Sequence, residues 1–154
     1  MPSRAEITFQ EVVRGLDGQA QDLAAIRSHV SVALTGGALS AAFIGGVTDD
    51  HGIFFWIAVA AFVFLALATI RVYWPVDFQY SFNGFELVQT YIDVDPPPPT
   101  EDFMLRELAI HGMDDYNENQ TALNNLWTWQ SAALTGFGVE VIGLVLNLAV
   151  RWPS

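Results

Sequence analysis

The sequence predicts an all-α integral membrane protein: three transmembrane helices with long cytoplasmic helical extensions and a small connector. Two compositional facts and one pattern predict it. Hydrophobic residues make up 52% of the chain and charged residues only 15%. The apolar residues gather in blocks at Val30–Val47, Ile53–Ile70 and Ala132–Val150. A bilayer core about 30 Å thick needs ~20 helical residues, and each block is of that order. The polar segments bordering the blocks carry the three- and four-residue apolar spacing of amphipathic helices.

Residues 1–29 form the first cytoplasmic element. Ser3 and Glu6 make a capping box, and Phe9, Val12, Val13, Leu16, Ala20, Leu23 and Ile26 then recur at helical steps. No proline separates this helix from the first span, so the two read as one rod of ~60 Å at 1.5 Å per residue, although Gly15 and Gly18 weaken that continuity. The polar run ahead of the first span also argues against a signal peptide. Residues 30–74 are a transmembrane hairpin turning at "TDDHG". In residues 75–128, "WPVDFQYSFNG" alternates Val76, Phe78, Tyr80 and Phe82 with polar residues and ends in Asn-Gly, as a short strand or extended piece and a turn do. "FELVQTYI" reads as a short helix and "DPPPPT" as a stiff spacer. Thr100 then caps a helix whose first turn holds Glu101 and Asp102. Phe103, Leu105, Leu108, Met113, Tyr116, Leu123 and Leu126 supply its apolar positions, and it continues into the third span, residues 129–154.

Arginines at membrane ends set orientation. Arg4, Arg14, Arg27, Arg71 and Arg106 fall on one side and Arg151 on the other, which places the N-terminus and residues 75–128 in the cytoplasm and the C-terminus outside. Trp56, Tyr73, Trp74, Trp127, Trp129 and Trp152 bracket the second and third spans as interfacial aromatics.

Composition also excludes chemistry. The chain has no Cys, so disulfides, thiolate metal sites and thiol nucleophiles are ruled out. A net charge of −11 opposes broad binding to nucleic acid or anionic lipid. Asp49, Asp50 and His51, and His111 with Asp114 and Asp115, lack a full ligand set at a known metal spacing. No phosphate loop, nucleophile elbow, zincin helix or dinucleotide fingerprint is present, so neither an enzyme nor a cofactor is expected.

Two faces carry the functional reading. Ala33, Gly37, Ala41 and Gly45 recur at four-residue steps in the first span, and small residues so spaced let helices approach closely. They serve packing within the chain or contact between subunits. In the third span Thr128, Ala132, Gly136, Glu140, Gly143 and Asn147 fall on one side, continued backwards by Thr121, Asn124 and Asn125. A charge at a bilayer centre costs on the order of 3 kcal/mol even on lenient scales, so such residues face a bundle interior or a water path. Three spans of one chain are expected to bury this face only partly. Several chains around an axis would line a pore with it, Glu140 favouring cations and Thr121, Asn124 and Asn125 forming a vestibule. The alternatives are a protonated Glu140 hydrogen-bonded to a neighbouring helix, and a proton relay.

The layout of "IRSHVSVALTGGALSAAFIGG", a second span ending "RVYWP", and "NENQTALNNLWTWQSAALTGFGVEVIGLVL" resembles the small bacterial membrane effectors of anti-phage systems: the SLATT group, the Pycsar transmembrane effectors and the membrane effector of the Hailong system. The likeness is one of hydropathy and layout and covers most of the chain. It implies a homo-oligomeric effector that forms a gated ion pore, controlled by a nucleotide or oligonucleotide from a partner nucleotidyltransferase or cyclase. It carries over no ligand-binding residues. An anionic ligand would have to meet Arg106, the N-terminal arginines or a helix N-terminus, because residues 75–128 are otherwise acidic. The competing expectation is a membrane-anchored interaction module or accessory subunit with no pore.

Overall fold

The computed structural model describes residues 3–45, 52–78 and 100–151, the side chains of 43–45 and 151 excepted. Among the described residues there are three helices and no strand: α1 (Arg4–Gly45), α2 (Ile53–Tyr73) and α3 (Glu101–Arg151). They hold 42, 21 and 51 residues, so α1 and α3 each join a polar segment to an apolar one without a break. At the start of α1 the Glu6 backbone N–H donates to Ser3 Oγ at 3.1 Å, the cap expected of that serine. Gly15 and Gly18 do not interrupt α1, because a glycine within a helix costs only about 1 kcal/mol and packing recovers it. Thr100 caps α3 through the Phe103 N–H at 3.4 Å.

Only the start of the expected strand or extended piece is described. Val76–Phe78 have no regular structure. Tyr80 and Phe82, the Asn83–Gly84 turn, the 85–92 helix and the proline spacer lie outside the described residues. So do Asp49, Asp50, His51 and Trp152.

The chain divides into two compact units, Met1–Leu23 with Val76–Asn124, and Ala24–Pro75 with Asn125–Ser154. In the first, Val12 and Leu16 of α1 pack on Ala109 of α3, flanked by Phe9 and Tyr116. The Gln19 side-chain amide donates to the Tyr116 carbonyl at 2.9 Å and to Gln120 Oε1 at 3.1 Å. These contacts advance together along both helices, so the two segments run parallel. Gly15 permits the approach: a Cβ there would lie 3.2 Å from the Tyr116 ring. Phe103 and Met113, expected among the apolar packing positions, are instead 47% and 50% exposed.

The second unit packs α1, α2 and α3 around Ile26, Val30, Leu65, Val72, Leu126 and Ala133, all nearly inaccessible. α2 runs opposite to α1. The Tyr73 hydroxyl, at the end of α2, donates to the Arg27 carbonyl at 3.1 Å and shares a 2.7 Å hydrogen bond with Ser31 Oγ. The Arg27 guanidinium lies over the same ring, 5.7 Å from its centre. Hydroxyls within the helices bond back to their own backbone, Thr69 to the Leu65 carbonyl at 2.8 Å and Thr135 to that of Ser131 at 2.8 Å. They therefore need no water.

The outside of this unit is apolar. Trp56, Val63, Leu67, Ile70, Ile142, Val145 and Val150 are all exposed. Among the described residues two helices are long and apolar enough to cross a membrane: α2, with mean hydropathy 2.7, and α3, with 1.9 over its best window. Only 28% and 33% of those windows is buried, so neither is the enclosed helix of an ordinary core.

A paired substitution tests the close approach in the first unit. A Cβ at Gly18 meets nothing within 4 Å, so Gly18→Ala should raise stability by roughly 0.5 to 1 kcal/mol through helix propensity alone. Gly15→Ala must displace the Tyr116 ring and should gain less or lose. Denaturant unfolding of the two variants, read as a difference, checks the contact.

Candidate functional site

Every buried polar side chain of the second unit's α3 segment faces inward, and Glu140 is the most demanding of them. It is 1% exposed, as is Asn147, with Gln130 at 4%. Burial follows from the residues opposite. A Cβ built on Gly37 of α1 would stand 2.5 Å from Glu140 Oε2 and 3.1 Å from Leu65 Cδ2 of α2, so the carboxyl fills the notch that Gly37 leaves. On α3 itself, a Cβ at Gly136 would meet Phe64 and the Ala61 carbonyl at 3.2 and 3.3 Å. One at Gly143 would meet the Phe54 carbonyl at 3.1 Å and Ala58 at 3.2 Å. Gly136 and Gly143, two helical turns apart, thus bring the α3 backbone against α2, as small residues do between membrane helices.

One chain covers Gly136, Glu140, Gly143 and Asn147 by itself, so the face is buried in part, over its second half. Thr128 is exposed and Ala132 half-buried. The cause is angular. A four-residue step advances a 3.6-residue helix by ~40°, so the run Thr128, Ala132, Gly136, Glu140 walks around the helix instead of holding one line. Thr121, Asn124 and Asn125 are exposed as well. The Thr121 hydroxyl donates to the Asn117 carbonyl at 3.2 Å, and Asn124 Oδ1 accepts from Gln120 at 3.3 Å. The α1 stripe drifts in the same way, with Ala33 and Gly37 buried and Ala41 half-buried. Its packing is within the chain, against α3 as well as α2. Gly45 ends α1 and its surroundings lie outside the described residues.

The buried polar groups are incompletely paired. The Gln130 amide donates to His29 Nδ1 at 2.9 Å, an α1–α3 contact that periodicity does not reveal. Its Oε1, the Asn147 Nδ2 and both Glu140 oxygens have no hydrogen-bond partner among the described residues. Leaving one neutral buried group unpaired costs about 1–3 kcal/mol, and a charged one more. Beside Glu140 lies a partly open cavity of about 120 Å3, lined otherwise by Ala41, Phe55, Ala58, Val59, Phe62 and Leu144.

In the first unit a wider groove of about 690 Å3 runs between the starts of α1 and α3, lined by Arg4, Thr8, Asp102, Arg106, Ile110 and Met113 among others. The sequence pointed to Arg106 and the N-terminal arginines separately, and the fold brings Arg4 and Arg106 to one groove. Asp115, in the acidic run next to it, titrates above the usual carboxylate range. Desolvation is the largest cause, reinforced by Glu118 and Asp114 and opposed by His111. No protein-family model, curated protein or solved structure matches the chain.

The notch gives a double-substitution test. Gly37→Ala forces its Cβ onto the Glu140 carboxyl and should be destabilising. In a Glu140→Ala background the same change should cost little, giving a coupling of ~0.5–3 kcal/mol. Thermal unfolding in detergent of the four proteins measures it.

Proposed function

We propose that the chain is a membrane effector that spans the bacterial inner membrane three times and assembles with copies of itself into a gated ion pathway. In this reading the helices as described are the closed form, and parting them exposes Glu140, Gly143 and Asn147 to water. The observation that carries the proposal is Glu140 itself: wholly enclosed, with both oxygens unpaired among the described residues. A carboxyl in that position weakens the packed form, and a bundle serving only as an anchor would be steadier with an apolar residue there. Ionisable groups inside membrane helices are expensive and characteristically belong to ion or proton paths.

Membrane insertion of the second unit is supported by its apolar exterior and by exposed aromatic residues, Trp56 and Trp74 at the two ends of α2 and Trp127 where α3 turns apolar, at 60%, 60% and 42% exposed. The cytoplasmic N-terminus follows from the arginine distribution. A place in anti-phage defence, under a nucleotide signal, rests on the resemblance in layout. The groove with Arg4 and Arg106 is where an anionic signal would find cationic side chains. The same groove favours a second reading, a membrane-anchored module that presents Ile110 and Met113, 44% and 50% exposed, to a partner protein.

Current through planar bilayers containing the purified protein, wild type beside Glu140→Gln, separates the readings. The pore predicts discrete cation-preferring currents whose reversal potential moves toward zero in the variant. Currents with unchanged selectivity in both Glu140→Gln and Asn147→Leu would remove this face from the pathway.

A further inference from the structure

Beside the enclosed carboxyl the bundle leaves a space walled by hydrocarbon. This cavity of about 120 Å3 takes Ala41 from α1, Phe55, Ala58, Val59 and Phe62 from one face of α2, and Leu144 from α3. Glu140 completes the lining but has only its aliphatic stem to offer, because both oxygens are enclosed and Oε2 fills the notch at Gly37. Depth is graded around the wall. Ala58, Glu140 and Leu144 are buried, Ala41, Phe55 and Phe62 are half-buried, and Val59 is 36% exposed. The mouth therefore lies on the apolar exterior of the second unit.

That lining selects its occupant. A buried water needs about two to four polar partners, and these side chains give it almost none. An ion would lose its hydration and meet no accessible opposite charge. An apolar cavity of about 150 Å3, lined by leucine, isoleucine and phenylalanine, takes up benzene, and this one is of comparable size. A lipid tail must give up chain freedom to turn into so short a space, whereas a compact ring has no rotatable bond to freeze. Phe55 and Phe62 also present ring edges and faces, which favour an aromatic partner over an aliphatic one.

We propose that this cavity binds a neutral aromatic hydrocarbon of benzene's size, entering from the bilayer, with its ring against Phe55, Phe62 and Leu144. Such a ligand touches all three helices and favours their packed arrangement by mass action. The site needs the three-helix bundle but not an ion pathway, so the two stand or fall separately.

The test titrates benzene into the purified full-length protein, carrying isotope-labelled alanine methyl groups in deuterated detergent, and follows those methyls by NMR. The Ala41 and Ala58 signals are expected to shift saturably. Ala149, exposed on α3, should follow only the linear uptake of benzene by the micelle. Phenol, whose hydroxyl finds no partner in this lining, should bind roughly tenfold more weakly at equal free aqueous concentration. Ala41→Leu, which fills the space with its own methyls, should abolish the saturable shift at Ala58. If that variant fails to fold, the contrast of Ala41 and Ala58 with Ala149 in the wild type decides the matter. Linear shifts at all three positions, equal affinity for phenol, or saturable binding that persists in Ala41→Leu overturn the proposal. Nuclear Overhauser contacts from protonated detergent chains to Ala41 and Ala58, undisplaced by benzene, would assign the space to acyl chains and overturn it too.

Discussion

The interior of the second unit depends on the seating of one carboxyl in the space of one missing side chain. Glu140 occupies the notch at Gly37, and Leu65 closes it from α2. Because both oxygens lack partners among the described residues, polar bonding does not hold the carboxyl in place. Close packing does. Gly136 and Gly143 let α3 meet the α2 backbone at the Ala61 and Phe54 carbonyls, and Ala58 and Ala133 keep the neighbouring positions small. Enlarging any of these residues separates the helices and reopens the site to its surroundings.

This packing also explains the exterior. With small and polar side chains turned inward, the bulky ones are left outside, from Val63 and Leu67 on α2 to Ile142 and Val145 on α3. In water such a surface would be an open invitation to aggregate. In hydrocarbon it is ordinary, and helix contact there depends on close packing by small residues instead of on burying large ones. The first unit follows the other rule, burying Val12 and Leu16 against Ala109 and showing acidic side chains such as Glu11, Asp17 and Glu118 outward.

Much of the fold was readable from local chemistry. Ser3 and Thr100 marked helix starts, and the absence of proline let α1 and α3 be followed from polar into apolar segments. Glu140 stood out because a carboxyl in an apolar run has few explanations. The partners were not readable, because periodicity names a face and not what lies against it. The parallel pairing of α1 with α3, visible at His29–Gln130 and Gln19–Gln120, joins residues about a hundred positions apart. A four-residue stripe also drifts around a helix, so Thr128 and Ala132 were grouped with a face they only partly share. Tyr73 was readable as an interfacial aromatic but not as the tie to Ser31 and Arg27. Of the alternating run only Val76–Phe78 is described, without regular structure, so its outcome as a whole lies outside the described residues.

The polar face of α3 is turned to its own helices, and in the proposed function its bulky face meets lipid. The chain has no native cysteine, so single cysteines at positions 139 to 147 can each carry a nitroxide in lipid vesicles. Their accessibility to oxygen, which concentrates in the bilayer, and to a water-soluble nickel chelate can then be read position by position. The account predicts oxygen maxima at 139, 142, 145 and 146 and minima for both reagents at 140, 143, 144 and 147. Nickel access at 140, 143 and 147 without any opening signal, or accessibility with no helical period, would contradict it.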